Sequence, residues 1–237
     1  MNRYFITATG TDVGKTIFTA GILRHLRNKG RDAISVKPVQ TGAESIDGQL
    51  VAPDLLAHWK AANFTPSDDE RALMAPYLYE PACSPHLAGR MAGNYPDIQT
   101  ILRAIHDLEE KHDDILVEGA GGVYAPLNED YTMLDLMKKL EYPVILVAHR
   151  GLGTLNHTLL SLEVMREAGL EIAGVILNEV DDVEPDFIKL DNPDAIEAFG
   201  RVPIVGNVDY LGSIESDPEA AWAKFESYCK EFLSGLE

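Results

Sequence analysis

Ala8-Thr9-Gly10-Thr11-Asp12-Val13-Gly14-Lys15-Thr16 has the residue types needed to hold a polyphosphate. Phosphate oxygens bind best where several backbone N–H groups are exposed at a helix start, because the macrodipole there favours anions. Gly14 allows close backbone approach, Lys15 can reach the β- and γ-phosphates, and the Thr16 hydroxyl suits Mg²⁺. The usual G-x-x-x-x-G-K-[ST] spacing asks for glycine at position 9; this chain has Thr9 there, with Gly10 one place late. A polyphosphate loop names a ligand, not a reaction, so the chemistry must come from other strand ends.

Four further stretches supply candidates. Val36-Lys37-Pro38-Val39-Gln40-Thr41-Gly42 puts an ammonium at the end of an apolar run. It reads either as an exposed lysine finishing a strand or as a group that neutralises a migrating phosphoryl or a developing anion. Ile115-Leu116-Val117-Glu118-Gly119-Ala120-Gly121-Gly122 places one carboxylate directly after three apolar residues and before glycines. It reads either as an oxygen ligand for a hard cation beside phosphates or as a solvated Glu opening a glycine turn. Asn178 closes the run Val175 to Leu177; its amide either reads the edge of a base or caps a turn. Gly151-Leu152-Gly153-Thr154-Leu155-Asn156 is a glycine turn into a helix. It is an anion site through its free N–H groups, or a plain helix start. Asp54 after Pro53 reads by itself as an N-cap. Cys83-Ser84-Pro85-His86 lacks an orienting acid and reads as a loop near a substrate, not a triad. His149 and His157 read as structural, and His25 as a surface residue of a helix.

The elements that must position these groups follow from periodicity. Tyr4 to Thr7, Ala33 to Val36, Ile115 to Val117, Val144 to Ala148, Val175 to Leu177 and Pro203 to Val205 are short and mostly apolar throughout, as in strands buried on both faces of a parallel sheet. Helical stretches lie between them: Ile17 to Asn28, Ile98 to Leu108, and Leu155 to Met165 with Gly169 as its stop. The alternation predicts an α/β fold with a doubly wound, mainly parallel sheet flanked by helices, as one unit over residues 1–237. Residues 41–94 are rich in Pro, Gly, Asp and Ser, with one clear helical piece near Leu50 to Ala62, and read as an insertion that builds part of a site. Residues 181–194, acidic and Pro-containing, read as another loop.

Composition excludes several classes. The 237 residues carry a net charge of −18 with no offsetting basic stripe, which argues against nucleic acid or an anionic membrane as partner. Cys83 and Cys229 match no metal spacing and read as free thiols. No signal peptide or membrane-length apolar run is evident, so the expected location is the cytoplasm.

Taken together, Gly10 to Thr16, Lys37-Pro38-Val39 with Thr41-Gly42, Asp54, Glu80-Pro81 with Ser84-Pro85-His86, Val117 to Gly122, and Gly151 to His157 resemble the dethiobiotin synthetase family, in the family's order. Ala8 stands where that family usually has glycine, and Thr41 where it often has serine. The match weakens beyond Asn178. The resemblance implies a cytoplasmic homodimer whose site is shared across the interface. It implies ATP bound by Asp12, Val13, Gly14, Lys15, Thr16, Ile17, Asp54, Glu118, Gly119, Ala120, Gly121, Asn178 and Glu179, and Mg²⁺ held by Thr16, Asp54 and Glu118. It implies catalytic roles for Lys37, Lys15 and Thr11. Substrate contacts would come from Thr41 and from Gly153, Thr154, Leu155 and Asn156 of the second subunit. The implied reaction joins CO₂ to 7,8-diaminononanoate at the expense of ATP, through a carbamic–phosphoric anhydride. Partitioning-type ATPases share the expected fold, but they usually carry an extra lysine early in the loop, and none lies between Met1 and Gly14. An amidotransferase synthetase would need a glutaminase domain for which this chain is too short, and a non-catalytic module would not need Lys15 and Thr16.

Overall fold

The computed structural model describes residues 1–236. The chain opens with β1 (Arg3–Ala8), α1 (Lys15–Asn28) and β2 (Ala33–Val36). A long excursion follows: β3 (Val39–Thr41), β4 (Glu44–Ile46), β5 (Gln49–Val51), α2 (Pro53–Ala61), α3 (Asp68–Met74), β6 (Tyr77–Tyr79) and α4 (Pro85–Ala92). The alternation then resumes with α5 (Ile98–Glu109), β7 (Asp114–Glu118), α6 (Met133–Leu140), β8 (Val144–His149), α7 (Thr154–Glu167), β9 (Ile172–Asn178), α8 (Phe187–Gly200) and β10 (Ile204–Val208). It ends in α9 (Pro218–Tyr228) and α10 (Lys230–Ser234).

Six strands form one sheet in the order β10-β9-β8-β1-β7-β2, and every pairing in it is parallel. Helices cover both faces, so β7 is buried at every residue. Successive residues of β1 feed opposite sides: Phe5 packs with Leu146, Val117 and the α5 residues Ile101 and Ile105, whereas Ile6 and Ala8 pack with Phe18 and Ile22 of α1. This is the period-two division that parallel strands require. From β1 the chain builds outward to β7 and β2 on one side and to β8, β9 and β10 on the other. The connection order reverses there, and a crevice opens at the carboxyl ends of the strands.

The excursion after β2 carries more regular structure than its composition suggests. β3 pairs with β6 in parallel, and β4 with β5 as a hairpin. The helical piece begins at Pro53, not Leu50, because Pro53 presets the first turn while Leu50 belongs to the hairpin. α3 is held by a capping box between Ser67 and Glu70. Two other expectations change. Residues 187–194 are helical, not loop: Asp186 caps α8 through Lys189 N, and the helix continues through Pro193 while Asn192, Ile196 and Gly200 form its buried face. His25 is buried, because it faces the α9 side of α1, where its Nδ1 lies 3.9 Å from Glu226.

One part-buried ion pair ties the start of β7 to the α1–β2 turn. Asp114 is fully buried and accepts from Arg31 Nε at 2.5 Å, from Arg31 Nη2 at 2.8 Å and from the Asn2 backbone N–H. Burial opposes its charge, but these donors outweigh burial and hold its carboxyl below the usual range. A depressed carboxylate contributes stability that is present above its unfolded value of about 3.9 and is lost as pH falls through the lower folded value. Asp114→Asn is therefore expected to lower unfolding free energy by about 1.5–3 kcal/mol at pH 7. In urea titrations its gap from the parent should close below about pH 4.

Candidate active site

The loop between β1 and α1 is built around Gly14, which caps α1 with φ of 104°. A Cβ there would lie 2.2 Å from the Asn178 amide nitrogen, so only glycine fits. That amide, at the end of β9, donates to Val13 O at 3.0 Å and braces the loop from the neighbouring strand end. Lys15 Nζ donates to Gly10 O at 3.0 Å. Gly10 thus takes part in the loop despite standing one place late. Burial, and then the nearby Lys37 ammonium, bring the Lys15 pKa down to about 8.

Lys37 follows β2 directly and is 4% exposed, which removes the exposed strand-end alternative. Its ammonium donates to Glu118 Oε1 at 2.7 Å and to Gly119 O at 3.1 Å, and pairs with Asp54 Oδ2 at 2.5 Å. Burial alone would lower its pKa, but Glu118 and Asp54 override that and raise it, so Lys37 is a fixed cation. Glu118 ends β7 with no exposed surface, so it is not a solvated turn residue. Burial works against its charge, yet the Lys37 ammonium and a His58 donor hold its carboxyl far below the ordinary range. Thr16 Oγ1 donates to Glu118 Oε1 at 3.2 Å. Asp54 lies in the first turn of α2, but Ala52 holds the cap position, so Asp54 is not the N-cap that its sequence neighbours suggest. Its carboxylate meets Lys37 instead. Two carboxylates and a threonine hydroxyl, linked through Lys37 and Glu118 Oε1, form a hard-oxygen set of the kind that fits Mg²⁺.

These groups line a single cleft of about 970 Å³, near the upper end of the roughly 300–1,000 Å³ range of small-molecule sites. Thr11, Asp12, Gly14, Lys15, Thr16 and Ile17 come from the first loop. Lys37, Thr41 and Asp54 come from the β2–β7 excursion, and Glu118, Ala120, Gly121, Asn178 and Glu179 from the ends of β7 and β9. Val13 and Gly119 sit behind the lining, contributing the carbonyls that accept from Asn178 and Lys37. Glu179 is buried and paired with Lys189. Gly153, Thr154, Leu155 and Asn156 start α7 outside the cleft of this chain; Thr154 is buried, with its Oγ1 3.3 Å from Thr158 Oγ1. Cys83, Ser84 and Pro85 line the cleft, whereas His86 turns its Nδ1 to Ser84 Oγ at 3.0 Å.

Sequence reasoning missed two sets of residues. The segment following β10 brings Tyr210, Leu211, Gly212 and Ile214 to the cleft. The rule that ligands sit at strand carboxyl ends points to it, since β10 is the last strand of the sheet. His58 is fully buried against Glu118, and no local signal marks it.

A glycine-bent phosphate loop at the centre of an all-parallel sheet, facing buried carboxylates and two lysines, defines a P-loop nucleotide-binding enzyme. Residues 2–217 match the family described as AAA domain. ATP-dependent dethiobiotin synthetase BioD of Anoxybacillus flavithermus is 37% identical, covering 94% of this chain and 98% of that protein. The protein of the same name from Halalkalibacterium halodurans is 40% identical over 91% of this chain and 88% of its own, and that from Chromohalobacter salexigens 38% over 93% and 94%. This chain belongs to the ATP-dependent dethiobiotin synthetase family, a family of ATP-dependent ligases. Solved structures of a ParA family ATPase from Chlorobium tepidum TLS and of the septum site-determining protein MinD with Mg-ADP from Pyrococcus horikoshii OT3 share the fold. Their TM-scores are 0.61 and 0.60, at 14% and 21% identity; the first covers 98% of each chain, the second 99% of this chain and 98% of its own.

Gly14→Ala tests the loop geometry. The left-handed φ and the clash with Asn178 are expected to lower stability by about 1–3 kcal/mol. Binding of a non-hydrolysable ATP analogue, followed by titration calorimetry, should weaken as well. Unchanged binding would show that the loop tolerates a Cβ.

Proposed function

We propose that the chain converts 7,8-diaminononanoate, CO₂ and ATP to dethiobiotin, ADP and phosphate in biotin synthesis. The observation that supports this most is the meeting of Lys15, Lys37, Asp54 and Glu118 in one cleft beside the phosphate loop. One amine of the substrate adds to the carbon of CO₂ and loses a proton, giving a carbamate. A carbamate oxygen attacks the γ-phosphorus, the bond to ADP breaks, and a carbamic–phosphoric anhydride results. The second amine attacks the anhydride carbonyl, phosphate leaves, and the ureido ring closes.

Chemistry of this kind is driven mainly by positioning and charge compensation. The loop N–H groups from Asp12 to Ile17, with Lys15, hold the triphosphate. Thr16, Asp54 and Glu118 hold Mg²⁺, which when bound neutralises phosphate charge. Lys37 stabilises charge on the carbamate and the migrating phosphoryl group, and Thr11 and Thr41 orient the substrate. Ala82, Pro85 and Ala125 in the same lining offer an apolar wall to its aliphatic chain. Asn178, Glu179 and the Tyr210–Ile214 segment flank the nucleoside end.

The reading includes a homodimer, in which Gly153 to Asn156 of the second subunit meet the substrate carboxylate. It is supported by the apolar groups that α7, α8 and their preceding loops leave exposed: Leu152, Leu160, Phe187, Leu190 and Phe199. The low cysteine content and the absence, among the described residues, of any helix long and apolar enough to cross a membrane accord with a cytoplasmic location.

Incubation with ATP, bicarbonate and 7,8-diaminononanoate, followed by mass analysis, should reveal dethiobiotin. Phosphate release independent of the diamine would instead favour a nucleotide switch. Lys37→Ala should lower turnover by about a hundred- to a thousandfold while leaving ATP-analogue binding largely intact. Near-normal turnover would remove Lys37 from the mechanism.

A further inference from the structure

Glu118 is held from both of its carboxylate oxygens. Oε1 faces the cleft, toward Thr16 and Lys37. Oε2 faces inward, 2.9 Å from Nε2 of His58. On the far side of the imidazole, Nδ1 lies 3.0 Å from the Ser35 hydroxyl. His58, Ser35 and Glu118 are all fully buried. An ionised carboxylate has no proton to give, so Nε2 is the donor, and the Ser35 hydroxyl rotates to suit Nδ1. Ser35 sits in β2, paired with Leu116 of β7, and thus anchors the ring to the strand beside the one that carries Glu118.

The placement follows from helix geometry. Asp54 and His58 are four residues apart on α2, so they share a face one turn apart. One helix therefore delivers a carboxylate to the cleft and an imidazole to the back of the opposing carboxylate. With Oε2 committed to His58, Glu118 can offer a cation one oxygen and not two. Mg²⁺ demands octahedral geometry at about 2.0–2.1 Å and is served by single oxygens, whereas Ca²⁺ takes about 6–8 ligands and readily accepts both oxygens of a carboxylate.

We propose that His58, anchored by Ser35, is a positioning residue that makes Glu118 a one-oxygen ligand and so favours Mg²⁺ over larger divalent cations. This rests on the reading of Glu118 as a metal ligand. Groups that orient a metal ligand from behind typically change metal affinity by about 10–100-fold when removed.

Metal binding without turnover tests the inference. Mn²⁺ bound in the presence of a non-hydrolysable ATP analogue is followed by electron paramagnetic resonance and displaced with Mg²⁺ or with Ca²⁺. His58→Leu is expected to weaken Mg²⁺ displacement by about tenfold or more and to shift the Mg²⁺/Ca²⁺ preference toward Ca²⁺. His58→Gln, which keeps a donor, should recover most of the preference, and Ser35→Ala should shift it less than His58→Leu in the same direction. If His58→Leu does not fold, the shift in Ser35→Ala and the retention in His58→Gln decide the matter. A folded His58→Leu with parental affinity and preference overturns the role, as does an unshifted Ser35→Ala when His58→Leu is unfolded. Glu118→Gln separates the two readings. If it weakens metal binding while the His58 variants do not, only the present inference fails; if it leaves metal binding unchanged, the metal reading of Glu118 fails as well.

Discussion

The burial of Lys37 between Glu118 and Asp54 is the constraint on which the rest of the site depends. An ammonium and a carboxylate cannot be taken from water without partners, because each alone would carry a desolvation penalty of several kcal/mol. Here each charge is met by more than one partner: Lys37 by two carboxylates and a carbonyl, Glu118 by an ammonium, an imidazole and a hydroxyl. Such a cluster has little freedom, and that stiffness is what charge-stabilising catalysis needs from a protein.

The sheet makes the cluster possible. β2, β7 and β1 lie side by side in parallel, so their carboxyl ends bring Lys37, Glu118 and the phosphate loop to one edge. β9 adds Asn178 from the other side, and its amide holds Val13 O. The excursion after β2 contributes the remaining carboxylate through α2. The same helix packs against α1, which ties Asp54 to the helix that follows the phosphate loop. Function here comes from strand ends and the loops that extend them, while the strand interiors are spent on packing.

The net charge of −18 bears on how the site meets a polyanion. A chain so acidic repels polyanions at long range, and the cleft lining itself carries four carboxylates, Asp12, Asp54, Glu118 and Glu179, beside the ammonium groups of Lys15 and Lys37. Asp54 and Glu118 are matched by Lys37, which leaves Lys15 and the N–H groups at the start of α1 to meet a polyphosphate at close range, while surface charge at a distance is screened.

The sequence by itself determined the alternation of apolar strands and helices, the phosphate loop, and the two charged strand ends at Lys37 and Glu118. Each of these is written in the spacing of a few neighbouring residues. Asp54 stood out only through family resemblance, because its local setting is that of a helix cap. Tertiary structure decided what no local pattern encodes: that Lys37 is buried, that Ala52 and not Asp54 caps α2, that the segment after β10 folds over the cleft, and that His58 lies behind Glu118. It also decided that residues 187–194 are helical despite their acidic, Pro-containing composition, since an Asp186 cap and a buried face against α7 outweigh the break that Pro193 introduces. The reason is the same in each case. Periodicity reports which face of an element is apolar, but which distant groups meet across that face is set only when the elements pack.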